Sequence, residues 1–284
     1  MPKGEFVRLR LLTLLVTLGS AAALAPAALA DTSQSSNWAG YAVHGTSFTR
    51  VLGQWRQPRA TCVPRTPTYS AIWVGIGGYS VNSNALEQIG TELDCRASGS
   101  TASSAWYELV PAPSQTIRFD VLPGDLVAAA VTVTGKTVVL SISNLTKHRT
   151  FSKTLHGNVD VTSAEWIVEA PSDCFTDGSC QTLPLANFGS TTFRLARAVS
   201  SIGRSGSIAD PSWATTKINL TPNGRRFASL GSGSNQIGTA IASALAASGD
   251  AFSVTYRGLT AGATPSVSRR HTRRAGRLIH PTRW

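Results

Sequence analysis

The chain has 284 residues, enough for one large domain with a core of its own. Only 14% of its residues are charged, against about 25% in an average domain, and acidic residues number just 15. The net charge of +11 sits mostly at the two ends, and no nucleic-acid module accompanies it, so the basic balance does not make the chain a nucleic-acid binder. A scarcity of carboxylates leaves few groups whose forced protonation would unfold the chain, which suits an acidic workplace; a Ser/Thr/Ala/Gly-rich exported surface without pH meaning has the same composition.

Residues 1–30 read as a secretory signal peptide. Lys3, Arg8 and Arg10 precede the apolar run "LLTLLVTLGSAAAL", and Ala28–Ala30 form a small-residue cleavage site. Pro26 and the Ala-x-Ala ending argue against an uncleaved anchor, and no later run is apolar for long enough to span a bilayer. The mature protein is expected to begin near Asp31, to be extracellular and to have no membrane contact after cleavage.

From residue 31 to 258 the pattern is short β-type runs parted by Gly, Ser, Pro and Asn. In order they are "NWAGYAV", "RVLGQWRQP", "SAIWVGIGGY", "IRFDVLPGD", "LVAAAVTVTG", "KTVVLSISNLT", "AEWIVEA", "TTFRLARAVS" and "AFSVTYRG". Alternation with period two in "VTVTGK" and turn signals at Pro123–Asp125 and Thr134–Lys136 support strands. Such spacing predicts an all-β domain, a sandwich or barrel, rather than alternating βα units. One stretch, "NQIGTAIASALAASGD" (Asn235–Asp250), is compatible with a short helix. Residues 259–284 form a linker-like stretch and a tail with six arginines and no acid. That tail is expected to be disordered and solvated, or to touch an anionic surface.

Four cysteines in an exported chain predict two disulfides, with three pairings open. Cys174–Cys180 closes the short loop "CFTDGSC", which leaves Cys62–Cys95. A zinc site is disfavoured, because no CxxC or HExxH spacing occurs and the histidines are scattered. The common hydrolase signals are also missing. GxSxG is absent, and nothing brings His44 or His156 to a serine. Oxidised cysteines supply no thiolate, and "GIGGYS" lacks both the GxGxxG spacing and a following helix.

What remains are carboxylates and amides on strands. In "AEWIVEAPSDC" (Ala164–Cys174), Glu165, Ile167 and Glu169 share one strand face. The two glutamates lie about 13 Å apart along the chain, too far for a glycosidase pair at ~5 Å or ~6.5–9.5 Å. Each therefore needs a partner from another strand. "NALEQIGTELDC" (Asn84–Cys95) offers Gln88, which shares a face with Leu86 and is opposed by Glu87. Taken alone, Glu169 reads as a strand-end carboxylate, Gln88 as a surface amide, and Trp38, Trp73, Trp106 and Trp166 as packing.

Six motifs in order change that balance: "SNWAGY" (Ser36–Tyr41), "AIWVGIGG" (Ala71–Gly78), "LEQIG" (Leu86–Gly90), "AWYELVP" (Ala105–Pro111), "AEWIVEAP" (Ala164–Pro171) and "LPLANFGSTTF" (Leu183–Phe193). In this series the chain resembles the glutamic peptidases, or eqolisins, over Ser36–Gly258. The resemblance implies a two-sheet antiparallel β-sandwich of concanavalin A-like shape and a secreted, acid-active, pepstatin-insensitive endopeptidase acting on polypeptides. It places the catalytic pair on Glu169 and Gln88. Trp38 and Trp73 become candidate substrate-lining residues, joined by Glu108 as an acid supporting the pair or a solvated strand residue. No metal or cofactor is implied, and a monomer is expected. Glu169 is expected to be partly buried with Gln88 as its hydrogen-bond partner, and Glu165 to be a structural partner of a backbone amide or an arginine. The chain departs from the fungal pattern at Gly77, Glu92, Leu109 and Val110. Two rival readings remain: a carbohydrate-binding or glycan-cleaving sandwich, and a catalytically silent member of the same family.

Overall fold

The computed structural model describes residues 1, 30–174, 180–222, 224–225 and 238–258. The expected signal segment and the basic tail lie outside these residues. The described residues form strands and connections without a helix. The first nine strands are β1 (Asp31–Ser35), β2 (Trp38–His44), β3 (Phe48–Arg56), β4 (Thr68–Gly77), β5 (Leu86–Cys95), β6 (Thr101–Val110), β7 (Gln115–Ile117), β8 (Leu126–Thr134) and β9 (Thr137–Asn144). They are followed by β10 (Arg149–His156), β11 (Ser163–Glu169), β12 (Ser172–Cys174), β13 (Cys180–Thr182), β14 (Ser190–Ser200), β15 (Ser205–Ser207), β16 (Ala214–Leu220), β17 (Thr239–Ala242) and β18 (Phe252–Gly258).

All but two strands join one hydrogen-bonded sheet, ordered β10-β9-β8-β3-β14-β18-β17-β16-β2-β11-β4-β5-β6-β7, with β1 added to β16 and β15 to β14. β12 and β13 form a separate hairpin. The all-β expectation holds, but the layers are continuous rather than two separate sheets. The turn is made within β14. Its residues Ser190–Phe193 pair with β18, and from Arg194 onward it pairs with β3. The register slips between Arg194 and Arg197, where Leu195 takes a left-handed φ of 49°. Such a bulge bends a strand and re-aims it.

The curl lays β3, β8 and β9 over β4, β5 and β11. Val51, Trp55, Ile72, Val74, Ile89, Val131, Leu140 and Trp166 fill the space between them. β8 and β9 alternate buried and half-buried positions because only one of their faces meets this core. β4 and β11 are buried on both faces. Their second face forms another apolar cluster with Trp38, Ala42, Leu86, Trp106 and Val110. That second face carries the candidate site.

Both expected disulfides are present. Cys62–Cys95 ties the end of β5 to the segment before β4, and Cys174–Cys180 closes the β12–β13 hairpin just past Glu169. The short helix considered for Asn235–Asp250 is not found among its described residues. Thr239–Ala242 is strand β17, with Ala240 and Ala242 buried and Ile241 outward. Alanine has the highest helix propensity, but propensity is a weak preference, and burial between β16 and β18 overrides it.

Candidate active site

Register builds the site in three parallel rows on one face of the sheet. The first row runs Glu165 of β11, Gly75 of β4, Gln88 of β5 and Glu108 of β6. The second runs Ile167, Trp73, Gly90 and Trp106, and the third runs Glu169, Ala71, Glu92 and Ser104. Glycines flank the central indole on both sides. A Cβ at Gly75 would lie 2.9 Å from Trp73 Cζ3, and one at Gly90 would lie 2.6 Å from Trp73 Cβ. Their absence lets Trp73 lie between the rows and reach Glu169.

Glu169 is 5% exposed, and both carboxylate oxygens are engaged. Trp73 Nε1 donates to Oε2 at 2.8 Å, and Asn37 Nδ2 donates to Oε1 at 3.2 Å. Trp38 packs edge-on against Trp73, with ring centroids 5.0 Å apart. Both indoles are buried, so what they give the site is position and an N–H rather than open surface.

Gln88 is 1% exposed. Its Nε2 donates to Glu108 Oε2 at 2.7 Å, while its Oε1 has no hydrogen-bond partner among the described residues. The expected Gln88–Glu169 hydrogen bond is therefore not formed. The two residues stand two strands apart and four residues out of register, and a third group has to bridge them. Glu108 is buried, and its carboxyl is held well above the usual range. Burial is the first cause and the charge of Glu169 the second; the Gln88 amide and the Ser114 backbone amide oppose them.

Glu165 differs from expectation. It is fully buried and hydrogen-bonds neither an arginine nor a backbone amide among the described residues. Burial pushes its carboxyl well above the usual range; the nearby Ser163 hydroxyl opposes that, and Asp160 and Glu87 add to it. Tyr79 lies near the same end of the sheet. This ring packs on the same apolar cluster and reaches past β11 and β2 to Thr216, to which its hydroxyl donates at 3.1 Å. Glu165 is thus in line with Gln88, with Gly75 between them, and hydrogen-bonds neither Gln88 nor Glu169 among the described residues.

Asn37 is the residue that sequence reasoning missed, although it lies inside "SNWAGY". The available signal was the Ser35-x-Asn37 spacing, since serine and asparagine so placed bond locally to the backbone and to each other. Open cavities of about 440 Å³ and 720 Å³ lie at the two ends of the β5–β6 ladder. The first is lined by Tyr69, Glu92, Asp94 and Ser104, and the second by Ala85, Val110, Pro111 and His156. No group of three or more His, Cys, Asp or Glu side chains among the described residues is arranged to hold a metal ion.

The arrangement offers a carboxylate steadied by two N–H donors, an amide with a spare acceptor and a spare N–H, and beside them an acid that burial pushes toward its neutral form. Those parts suit the addition of water to a carbonyl without an outside group. The chain is 32% identical over 205 residues to aspergillopepsin-2 of Aspergillus niger, covering 64% of this chain and 69% of that protein. It is 29% identical over 191 residues to scytalidopepsin B of Scytalidium lignicola, covering 65% and 71% respectively. It superposes on a crystal structure of scytalido-glutamic peptidase with a peptide-based transition-state analogue at a TM-score of 0.63 and 26% identity, covering 78% of this chain and 98% of that one. Residues 36–240 match the Peptidase A4 family, a span enclosing every strand that carries the site, and the chain belongs to that family, the eqolisins.

Proposed function

We propose that the chain is a secreted endopeptidase that hydrolyses polypeptides in acid with Glu169 and Gln88 as its working pair. One observation carries this reading. A buried carboxylate with an N–H donor on each oxygen shares a sheet face with a buried amide whose Oε1 is unspent. A buried acceptor left without a donor loses a hydrogen bond's worth of free energy, so such a group is built for a donor that arrives with substrate or water.

Glu169 takes a proton from water as the water oxygen attacks the scissile carbonyl carbon. Glutamate titrates near 4.3 when unperturbed, so it is ionised at pH values where a histidine base would already be protonated. Gln88 Oε1 accepts the remaining O–H of that water. The amide nitrogen carries two N–H groups, one on Glu108, and the second meets the carbonyl oxygen as it becomes negative. Glu169 then returns its proton to the leaving nitrogen as the C–N bond breaks. An extended peptide lying along the β5–β6 ladder would place side chains in the two flanking cavities. The curled sheet fits a concanavalin A-like sandwich. The disulfides fit an oxidising compartment, which with the expected signal segment supports export. A monomer without metal or cofactor suffices for this chemistry, and the basic tail is left to anionic surfaces.

Cleavage of a denatured protein near pH 4, with pepstatin present, tests the reading. Wild type and Glu165→Gln should cut. Glu169→Gln should lose about 10³-fold or more in kcat/KM, and Gln88→Ala about 10²–10³-fold. Folded wild type that cuts nothing at any acidic pH would remove the peptidase reading and leave glycan binding as the next assay.

A further inference from the structure

We infer that Ser35 and Asn37, at the crossover out of the N-terminal strand, are positioning residues for the Glu169 carboxylate. The inference rests on the peptidase reading of Glu169. β1 lies parallel along β16, from Asp31 opposite Thr216 to Ser35 opposite Leu220. β2 runs antiparallel along the same strand, pairing Gly40 with Ile218. Residues 36 and 37 carry the chain from one pairing to the other. Backbone bonds hold the crossing: the Thr221 amide donates to the Ser35 carbonyl, and the Ser36 amide donates to the Arg225 carbonyl. The Ala170 amide, next to Glu169, donates to the Asn37 carbonyl at 2.8 Å.

The side chains then converge on one group. Ser35 Oγ accepts from the backbone amides of Asn37 and Trp38 at 3.2 and 2.9 Å. The same hydroxyl donates to Asn37 Oδ1 at 3.0 Å. An amide has two ends, and this bond assigns them: Oδ1 is taken by Ser35, so Nδ2 faces Glu169 Oε1. Ser35 and Asn37 are both buried, so water does not compete for these bonds. Asn37 thus holds Glu169 from two sides, through its side chain to Oε1 and through its carbonyl to the next residue's amide. An N–H bond to a carboxylate favours the ionised form, so the crossover sets both the direction and the basicity of the attacking pair's base.

The test compares kcat, KM and the pH profile of Asn37→Asp, Asn37→Ala, Ser35→Ala and Ser35→Thr with wild type. Asn37→Asp keeps the shape but replaces an N–H donor with a second acid. Its kcat should fall about 10²-fold with KM nearly unchanged, because a displaced base costs orientation rather than binding. The fall should deepen as pH rises above the usual carboxyl range, because burial and the neighbouring Glu169 raise the new carboxyl and its ionisation then opposes that of Glu169. Asn37→Ala should move the acid limb of the profile upward by roughly 0.5–1 pH unit. Ser35→Ala should show a smaller shift of the same sign, and Ser35→Thr should restore wild-type behaviour. If wild type cleaves and Glu169→Gln does not, yet these variants lose activity only in proportion to lost thermal stability with the limbs unmoved, the crossover is scaffold and the inference fails alone. If wild type does not cleave, the underlying reading has failed instead.

Discussion

Glu108 and Glu169 share one floor with opposite surroundings. Glu169 receives N–H donors on both oxygens, whereas Glu108 is sealed against the Gln88 amide and is pushed toward its neutral form by burial and by Glu169 itself. Pairs of carboxyls whose environments diverge in this way divide the work of acid and base. Here the raised member, Glu108, accepts one N–H of Gln88 and so aims the other. A glutamine can do the same. Glu108→Gln should keep kcat/KM within about tenfold at acidic pH, while Glu108→Ala, which frees the Gln88 side chain, should lose about 10²-fold. Ionised Glu108 would repel the charge on Glu169, so Glu108→Gln should also extend activity to higher pH. A kcat/KM–pH profile of the two variants decides this. Equal losses in both would mean that the charge of Glu108, not its acceptor oxygen, is what the site uses.

The strands contribute by how closely they approach. Gly90 has its missing Cβ aimed at the Ile72 carbonyl oxygen, 2.2 Å away, and at Trp73. Gly90→Ala must push β5 off β4, shifting Trp73 and, two residues along the same face, Gln88. Overpacking of this kind costs about 1–3 kcal/mol, readable as a lower urea midpoint, and activity should fall further than stability alone explains. A variant with an unchanged midpoint would show that the β4–β5 spacing gives way freely. Much of this was legible in the chain. Alternation in β8 and β9 announced a one-sided sheet, whereas β11, with Glu165 and Glu169 on one face, is buried on both faces all the same. Glu169 and Gln88 could be chosen from motifs. Their neighbours could not, because register is a property of two strands. Nothing in "LEQIG" says that Gln88 faces Glu108, or that Gly75 leaves Glu165 in line with it. β17 reads as helical because alanine favours helices, and the strand pairing that overrides this is made with residues outside the segment.

Charge is divided between two blocks of neighbouring strands. β3, β8, β9, β10 and β14 contain no Asp or Glu but carry Arg50, Arg56, Arg149, Lys153, Arg194 and Arg197. β2, β4, β5, β6 and β11 contain Glu87, Glu92, Asp94, Glu108, Glu165 and Glu169 and no Lys or Arg. Ion pairs join Lys147 to Asp120 and Asp125, and Arg204 to Asp210, away from these acidic strands. A carboxylate buried without a cation is relieved by protonation. Glu87 is fully buried and pushed up to about 8, first by burial and then by the charge of Asp160. Glu108 and Glu165 are raised as well. A group whose folded pKa lies above its unfolded value stabilises the fold fully below the unfolded value, near 4.3, and that stability is lost as pH rises toward the folded one. Asp125, Asp160 and Asp210 run the other way, since burial raises each but hydrogen bonds outweigh it, and their contribution is lost in acid. The raised glutamates are the more deeply buried set, so stability should peak in acid and decline between about pH 4.5 and 8. For Glu87 alone the decline is on the order of 3–5 kcal/mol. Thermal unfolding against pH measures it, in the Glu169→Gln background so that self-cleavage cannot intrude. Adding Glu87→Gln should flatten the upper part of the curve while leaving the acidic end nearly in place. A background protein whose stability is level or rises from pH 4.5 to 8 would mean that Glu87 and Glu165 find partners on ionising, and that these buried acids do not tie the stability of the fold to acid.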